Sequence, residues 1–461
     1  MTVLLGGLSA LFWGLVVLSV LVFVHEGGHY LAARVFGVRV TEFFLGMPSP
    51  VRLSHKSRRY GTEIGVTPIL LGGYTRICGM ESNEDPALAD VLACVHRHGR
   101  VSADVVSREV GCDLDVVYRC LSMLADWGSI RPFYDPARGE KPSQGEWPTQ
   151  FQTIPRDCDM LTEYDRGNRL GGKGSTDEAQ PRPIHTSPEE FLASERSHTY
   201  LGCSFPKRVA MLAAGPAVNI ALALVIVVLS LVLVGVEVAS NKNVLGGVEA
   251  GSLAEASGLR AGDVIVSVDG HAISTWEDLG PALDGSLRVG RDFDVVVERD
   301  GQQINVHVDL EDGVPQDYLG IYSSTEMYHL TPLEACRTAF NYMGMVVSFV
   351  ARLTMPTHTM EVLEQSSSIV GISVAASEAA SSGIADLLML AAAVSMSLGF
   401  MNLLPIPPLD GGKILIEVIQ LAMGKPLSMR AQNAVSLVGL AFFLFVFVFV
   451  LRNDIMRILL G

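Results

Sequence analysis

The chain has 461 residues, 49% of them hydrophobic and 18% charged, with a mean hydropathy of +0.34. That balance excludes a wholly water-soluble globule and calls for several membrane spans joined by soluble parts. A formal net charge of -15 excludes bulk attraction to nucleic acid.

The first apolar run, LLGGLSALFWGLVVLSVLVFV, is long enough at about 20 residues to cross a bilayer as a helix. It has no basic leader and no small-residue cleavage site, so it is expected to remain as an anchor. It closes in His25-Glu26-Gly27-Gly28-His29. On a helix, residues four apart share a face, so His25 and His29 present two imidazoles to one ion with Glu26 beside them. This is the H-E-x-x-H arrangement of zinc hydrolases, in which the glutamate is general base and not a ligand. Ionisable groups at membrane depth are costly and by default functional. The competing reading is a helix end whose His and Glu reach interfacial water.

Arg34, Arg39, Arg52, Lys56, Arg58, Arg59 and Arg76 follow, which by the positive-inside rule place this loop in the cytoplasm and the N-terminus outside. Within it, TEIGVTPILLGGYTRICGM carries Pro68, Gly72 and Gly73, and reads as a hairpin or extended loop. Such a loop could pair its open edge with an extended substrate, or be an ordinary surface hairpin. From Pro86 the pattern predicts a helix to about His98, a second from Ser102 to Val110 and a third from Leu114 to about Trp127, then a short apolar strand. That succession resembles a winged-helix module. Five arginines against seven acids between Pro86 and Asp135 argue against DNA contact and for protein binding or dimerisation. Cys94 and His98, four apart, could bind metal, or be core and surface residues respectively. From about Pro136 the composition turns to Pro, Gly, Ser and charge, and a flexible cytoplasmic linker is expected. Six of the seven cysteines precede the second span, which suits a reducing compartment for this loop.

MLAAGPAVNIALALVIVVLSLVLVGV is the second span. Ala214, Gly215 and Pro216 permit close helix approach, and Asn219 must hydrogen-bond within the bundle, as structural glue or as part of the site. Beyond it, GSLAEASGLRAGDVIVSVDGHAI resembles a PDZ domain, and FDVVVERDGQQINVHVDL reads as a hairpin turning at Asp300-Gly301. Residues 341–354 are expected as an amphipathic surface helix, and SSSIVGISVAASEAASSG as a loop. The third span, from about Ile384 to Leu404, ends in NLLPIPPLDGGK. There Asp410 either completes a two-His, one-carboxylate zinc site with a position open for water, or caps the helix that follows. Lys413, Lys425 and Arg430 return the chain to the cytoplasmic side before a fourth span, AVSLVGLAFFLFVFVFVL.

VHEGGHYLAARVFGV, LLGGYTRICGM, AAGPAVN, the PDZ block and NLLPIPPLDGGK, in that order, resemble the site-2 protease family of intramembrane metalloproteases, bacterial regulator-of-sigma-E protease type. The resemblance implies a polytopic α-helical membrane protein of about four spans, with an inserted β-rich PDZ domain and a small winged-helix-like cytoplasmic insertion. Its expected parts are 1–80 (first span and hairpin loop), 81–135 (insertion), 136–204 (linker), 205–240 (second span), 241–312 (PDZ domain), 313–383 (surface helix and loop) and 384–461 (third and fourth spans). By that resemblance one Zn2+ is held by His25, His29 and Asp410, Glu26 is the general base, and Asn402, Gly72 and Gly73 hold the substrate backbone extended. Expected substrates are single-span proteins of the cell membrane, such as anti-sigma factors or signal-peptide remnants. The insertion is a candidate for binding a cytoplasmic protein partner. The alternative is a catalytically idle membrane scaffold that recruits partners through its PDZ and winged-helix-like modules.

Overall fold

The computed structural model describes residues 2–70, 72–81, 85–142, 147–165, 169–288, 290–310, 318–353, 355, 357–424, 427 and 429–460; Leu71, Lys425 and Thr354 lie outside them. The chain divides into two compact units, one of residues Met1–Val227 and Thr338–Gly461, the other of Val228–Arg337.

The larger unit begins with α1 (Thr2–Val35) and a sheet of β1 (Val40–Leu45), β2 (Leu53–Lys56), β3 (Glu63–Val66) and β4 (Gly73–Ile77). The strand order is β2-β3-β1-β4, with β1 parallel to β3 and antiparallel to β4, so among the described residues β4 is an edge strand beside β1. Next come α2 (Leu88–His98), β5 (Arg100–Ser102), α3 (Ala103–Val110), α4 (Leu114–Asp126), β6 (Ile130–Phe133) and β7 (Gln150–Thr153), with sheet order β5-β7-β6. The amphipathic spacing of the three helices buries Val91, Leu92 and Val95, Val106, and Val117, Leu121 and Leu124 in one core closed by Phe151 of β7.

The segment 136–204 departs from the linker expected there. It supplies β7 and α5 (Pro188–Ser197), a helix started by a Ser187–Glu190 capping box. Phe191 of α5 enters the same core. Met160, Ile184 and Leu192 pack against it as well, and buried charge adds to this apolar packing. Arg39, just beyond α1, donates to Asp165 through two nitrogens (2.7 and 2.8 Å) and to Glu195 (2.8 Å), and Arg156 grips Glu195 at 2.8 and 2.9 Å. All four side chains are buried. Composition reports apolar content and is blind to such pairing.

α6 (Phe205–Leu233) follows, and after the second unit α9 (Pro332–Leu353), α10 (Thr359–Gln365), α11 (Ile369–Ser382), α12 (Ile384–Asn402), α13 (Asp410–Met423) and α14 (Met429–Leu460). The stretch of α11, expected as a loop, is a helix capped by Ser368, whose hydroxyl accepts from Val370 N–H. Its small residues let it lie against α1: a Cβ on Gly14 would come within 2.1 Å of Ser373 Oγ. Among the described residues, four helical stretches are long and apolar enough to cross a membrane: Gly6–Val35, Phe205–Leu233, Ile384–Asn402 and Ala434–Met456.

The second unit holds β8 (Val236–Ala239), β9 (Leu245–Val248), α7 (Leu253–Ala256), β10 (Val264–Val268), β11 (His271–Ala272), α8 (Leu279–Leu287), β12 (Phe293–Arg299), β13 (Gln302–Val308), β14 (Ile321–Ser323) and β15 (Thr325–Tyr328). Its main sheet runs β11-β10-β12-β13. The β12–β13 hairpin turns at Asp300 and Gly301, both with positive φ (54° and 78°), the geometry that an Asp-Gly turn is suited to. β9 pairs with β14, so this unit continues past the boundary at 312 drawn from the sequence. All seven cysteines are free.

Candidate metal centre

The centre is assembled from three separate helices. α1 carries His25 and His29 one turn apart, their Nε2 atoms 3.3 Å from each other. Asp410, the first residue of α13, turns Oδ2 to 3.1 Å from His25 Nε2 and 3.2 Å from His29 Nε2. All three residues are buried. The capping alternative for Asp410 is not what the side chain does: the N-cap position is Leu409, and no side-chain cap bond is made there.

α6 forms the floor. Gly28 and Gly215 let α1 and α6 touch backbone to backbone, since a Cβ on Gly28 would sit 2.6 Å from the Ala214 carbonyl oxygen. A Cβ on Gly215 would sit 2.4 Å from His29 Nε2 and 2.9 Å from His25 Nε2, so glycine keeps open the space between the two rings. The Met211 carbonyl accepts from His29 Nδ1 at 2.8 Å, which fixes the proton on Nδ1 and leaves Nε2 its lone pair. Asn219 reaches His25 Nδ1 on the other side, and its own backbone carbonyl accepts from Ser395 Oγ of α12 at 2.9 Å. Further along α13, Glu417 accepts from Tyr200 (3.0 Å) and pairs with Arg208 of α6 (2.9 Å), which holds the helix bearing Asp410 in register.

These residues fit a zinc ion. Two neutral imidazole nitrogens and a carboxylate are a common catalytic donor set, and the 3.1–3.3 Å separations are close to the edge of a tetrahedron with zinc-ligand bonds of about 2.0–2.1 Å.

Beside the three donors lies a cavity of about 200 Å³, lined by Glu26, His29, Gly73, Tyr74, Thr75, Asp410 and Lys413 among others. Thr75 donates its hydroxyl to the Glu26 carbonyl (3.0 Å), tying β4 to α1. A Cβ on Gly73 would crowd Glu26 Cγ at 3.2 Å and the Phe44 carbonyl oxygen at 3.1 Å, so glycine lets the edge strand come up to the glutamate. Burial, reinforced by the Glu42 carboxylate, pushes the Tyr74 phenol up to about 12, so it stays a neutral hydroxyl near pH 7. Of the residues singled out in the sequence, His25, Glu26, His29, Gly73 and Asp410 come together. Gly72 is outside the cavity lining, and a Cβ there would meet Met47 Sδ at 3.2 Å. Asn402, half-buried at the end of α12, is outside the cavity lining. Thr75, Tyr74 and Lys413 were not anticipated. Their one signal was proximity in sequence to Gly73 and Asp410. A larger cavity, of about 560 Å³, lies in the second unit among residues such as Asp269, His271, Asp278 and Arg291, away from any cluster of metal donors among the described residues.

Comparison with known proteins finds relatives named as zinc metalloproteases. The chain is 26% identical over 453 residues to the regulator of sigma-W protease RasP of Bacillus subtilis, covering 97% of this chain and 98% of that protein. It is 25% identical over 456 residues to the zinc metalloprotease RasP of Oceanobacillus iheyensis (96% and 97% covered), and 26% identical over 451 residues to that of Geobacillus kaustophilus (97% of each). Residues 13–446 match the model of peptidase family M50. With its four apolar helices and this match over nearly its whole length, the chain belongs to peptidase family M50, the site-2 protease family of membrane-embedded zinc metalloproteases.

Proposed function

We propose that His25, His29 and Asp410 hold the catalytic zinc and that Glu26 is the general base of an endopeptidase that cuts the transmembrane segments of single-span membrane proteins. The observation that carries this reading is the convergence of the three donor atoms at 3.1–3.3 Å, next to a cavity that Glu26 lines. Zinc bound there supplies Lewis acidity to the attacking water and to the scissile carbonyl. Glu26 takes the proton of that water and hands it to the leaving amine. A helical substrate has its carbonyls tied in hydrogen bonds and must unwind before attack. β4, with its edge free in the sheet and Gly73, Tyr74 and Thr75 in the cavity wall, supports capture of the unwound strand by backbone pairing. Gly72 and Asn402 complete the proposed substrate-holding set.

Membrane-anchored anti-sigma factors already trimmed outside, or signal-peptide remnants, are the proposed substrates, the first in keeping with a Bacillus subtilis relative named as a regulator of sigma-W protease. The cations after α1 and the distribution of cysteines support a cytoplasmic 81–204, with the N-terminus and second unit outside. The strand order of the second unit supports a PDZ domain acting as receptor or size filter. The order helix, strand, helix, helix, strand, strand over 88–153 supports a winged-helix module that binds a protein partner.

The test is cleavage of a tagged single-span substrate by wild type and Glu26→Gln, with zinc counted in both. The expected result is a loss of about 100-fold or more in rate with zinc retained. Unchanged cleavage would remove Glu26 from the mechanism.

A further inference from the structure

Away from the catalytic centre, a second set of metal-type donors converges on the surface of the helical insertion. Cys94 and His98 lie one turn apart on α2, and Glu109 reaches them from α3. Glu109 Oε1 is 2.7 Å from His98 Nε2, Oε2 is 3.5 Å from Cys94 Sγ, and the three donor atoms all lie within 4.8 Å of one another. The arrangement repeats the logic of the catalytic site: an i, i+4 pair on one helix and a carboxylate from another.

The scaffold holds these groups in place without help from an ion. Val91, Leu92 and Val95 of α2 pack with Ala103 and Val106 of α3 in the buried core. Directly after His98, Gly99 turns with φ 76° against the backbone of 179–181, where a Cβ would lie 2.4 Å from the Ala179 carbonyl oxygen, so the end of α2 cannot shift freely. Cys94 is buried and belongs to that core, and its sulfur lies 3.5 Å from Glu109 Oε2. His98 and Glu109 are about one-third exposed, which leaves a path for an ion and for water. Arg97 also contacts Glu109 (3.2 Å), but its side chain is 66% exposed and free to swing into solvent.

We propose that Cys94, His98 and Glu109 form a second zinc site, separate from the catalytic one and exchangeable because its fourth position is open to water. Sulfur, imidazole and carboxylate donors in a three-residue set select a borderline first-row ion such as Zn2+ over Ca2+ or Mg2+, which take oxygen. Binding there cross-links α2 to α3 and stiffens the insertion.

The experiment uses the full chain purified in detergent, with Zn2+ counted by mass spectrometry and Co2+ as a spectroscopic stand-in. The catalytic donors include no sulfur, so a thiolate-to-cobalt charge-transfer band reports a site apart from the catalytic one, and its loss in Cys94→Ser assigns it to Cys94 among the seven free cysteines. Wild type is expected to bind two zinc ions per chain and to show the band. Cys94→Ser is expected to bind one and lose the band, and the surface change Glu109→Gln to weaken the second ion about tenfold or more while the first is retained. Absence of the band in wild type, its persistence in Cys94→Ser, or a second ion unaffected by Glu109→Gln would overturn the assignment.

Discussion

Asn219 faces His25 through its side-chain amide, Nδ2 standing 3.4 Å from the ring Nδ1, while the other amide atom, the buried Oδ1, has no partner among the described residues. An imidazole that offers Nε2 to a metal carries its proton on Nδ1 and needs an acceptor there, the role the Met211 carbonyl plays for His29. A half-turn of the Asn219 amide supplies one and satisfies the orphaned oxygen. Asn219→Leu is therefore expected to speed zinc loss to a chelator by about 10–100-fold. Asn219→Asp, which keeps an acceptor, should lose far less. Equal release from all three proteins would show that Asn219 only packs.

Gly215 sets a steric limit on the same space. With the Cβ of an alanine 2.4 Å from His29 Nε2, either the rings or α6 must move. Gly215→Ala is expected to weaken zinc binding by about 100-fold, near 2.8 kcal/mol, with cleavage falling in parallel. Helical content by circular dichroism should hold. Full zinc occupancy in this variant would contradict the packing described.

A substitution at Gly73 would separate the proposed substrate capture from metal binding. In Gly73→Val the added carbons meet Glu26 Cγ and the Phe44 carbonyl, moving β4 off the glutamate. Cleavage should drop about tenfold or more at unchanged zinc content. Loss of the metal as well would mean that β4 supports the ligands themselves.

The buried charges at Arg39 predict a pH dependence of the insertion. Burial penalises the Asp165 and Glu195 carboxylates, but Arg39 for the first and Arg156 with Arg39 for the second outweigh it, holding both below the usual carboxylate range. Their contribution is complete above a pH of about 4, the unfolded carboxylate value, and is lost as pH falls through the depressed folded values. Limited proteolysis of 81–204 should therefore accelerate only in acid. Arg39→Met leaves two buried carboxylates short of a partner and should destabilise this region by about 3–5 kcal/mol, opening it to protease at neutral pH.

Local chemistry was readable in the chain, and long-range pairing was not. His25, Glu26 and His29 announce themselves by helical spacing, the four spans by apolar length, and the β12–β13 turn by Asp300-Gly301, because each is settled within a few residues. The insertion helices declared themselves through amphipathic spacing. The buried carboxylates of 136–204 pair with Arg39, about 120–160 residues earlier in the chain, and no composition window reaches that far. α11 escaped because Ser, Ala and Gly show no apolar face. Their smallness is what seats the helix against α1, and that becomes visible only with the partner in place. Thr75 and Asn219 mark the same limit: a hydroxyl or amide gains a role from what it touches.

The distance along the chain between His29 and Asp410 also has a consequence in time. The two are separated by 381 residues, and at roughly 5–20 residues per second a ribosome needs about 20–80 s to pass from one to the other. Throughout that interval the nascent chain holds its histidines and its glutamate without the third donor. With the proposed donor set, the protease would stay unarmed while its earlier spans enter the bilayer and become competent only once Asp410 arrives.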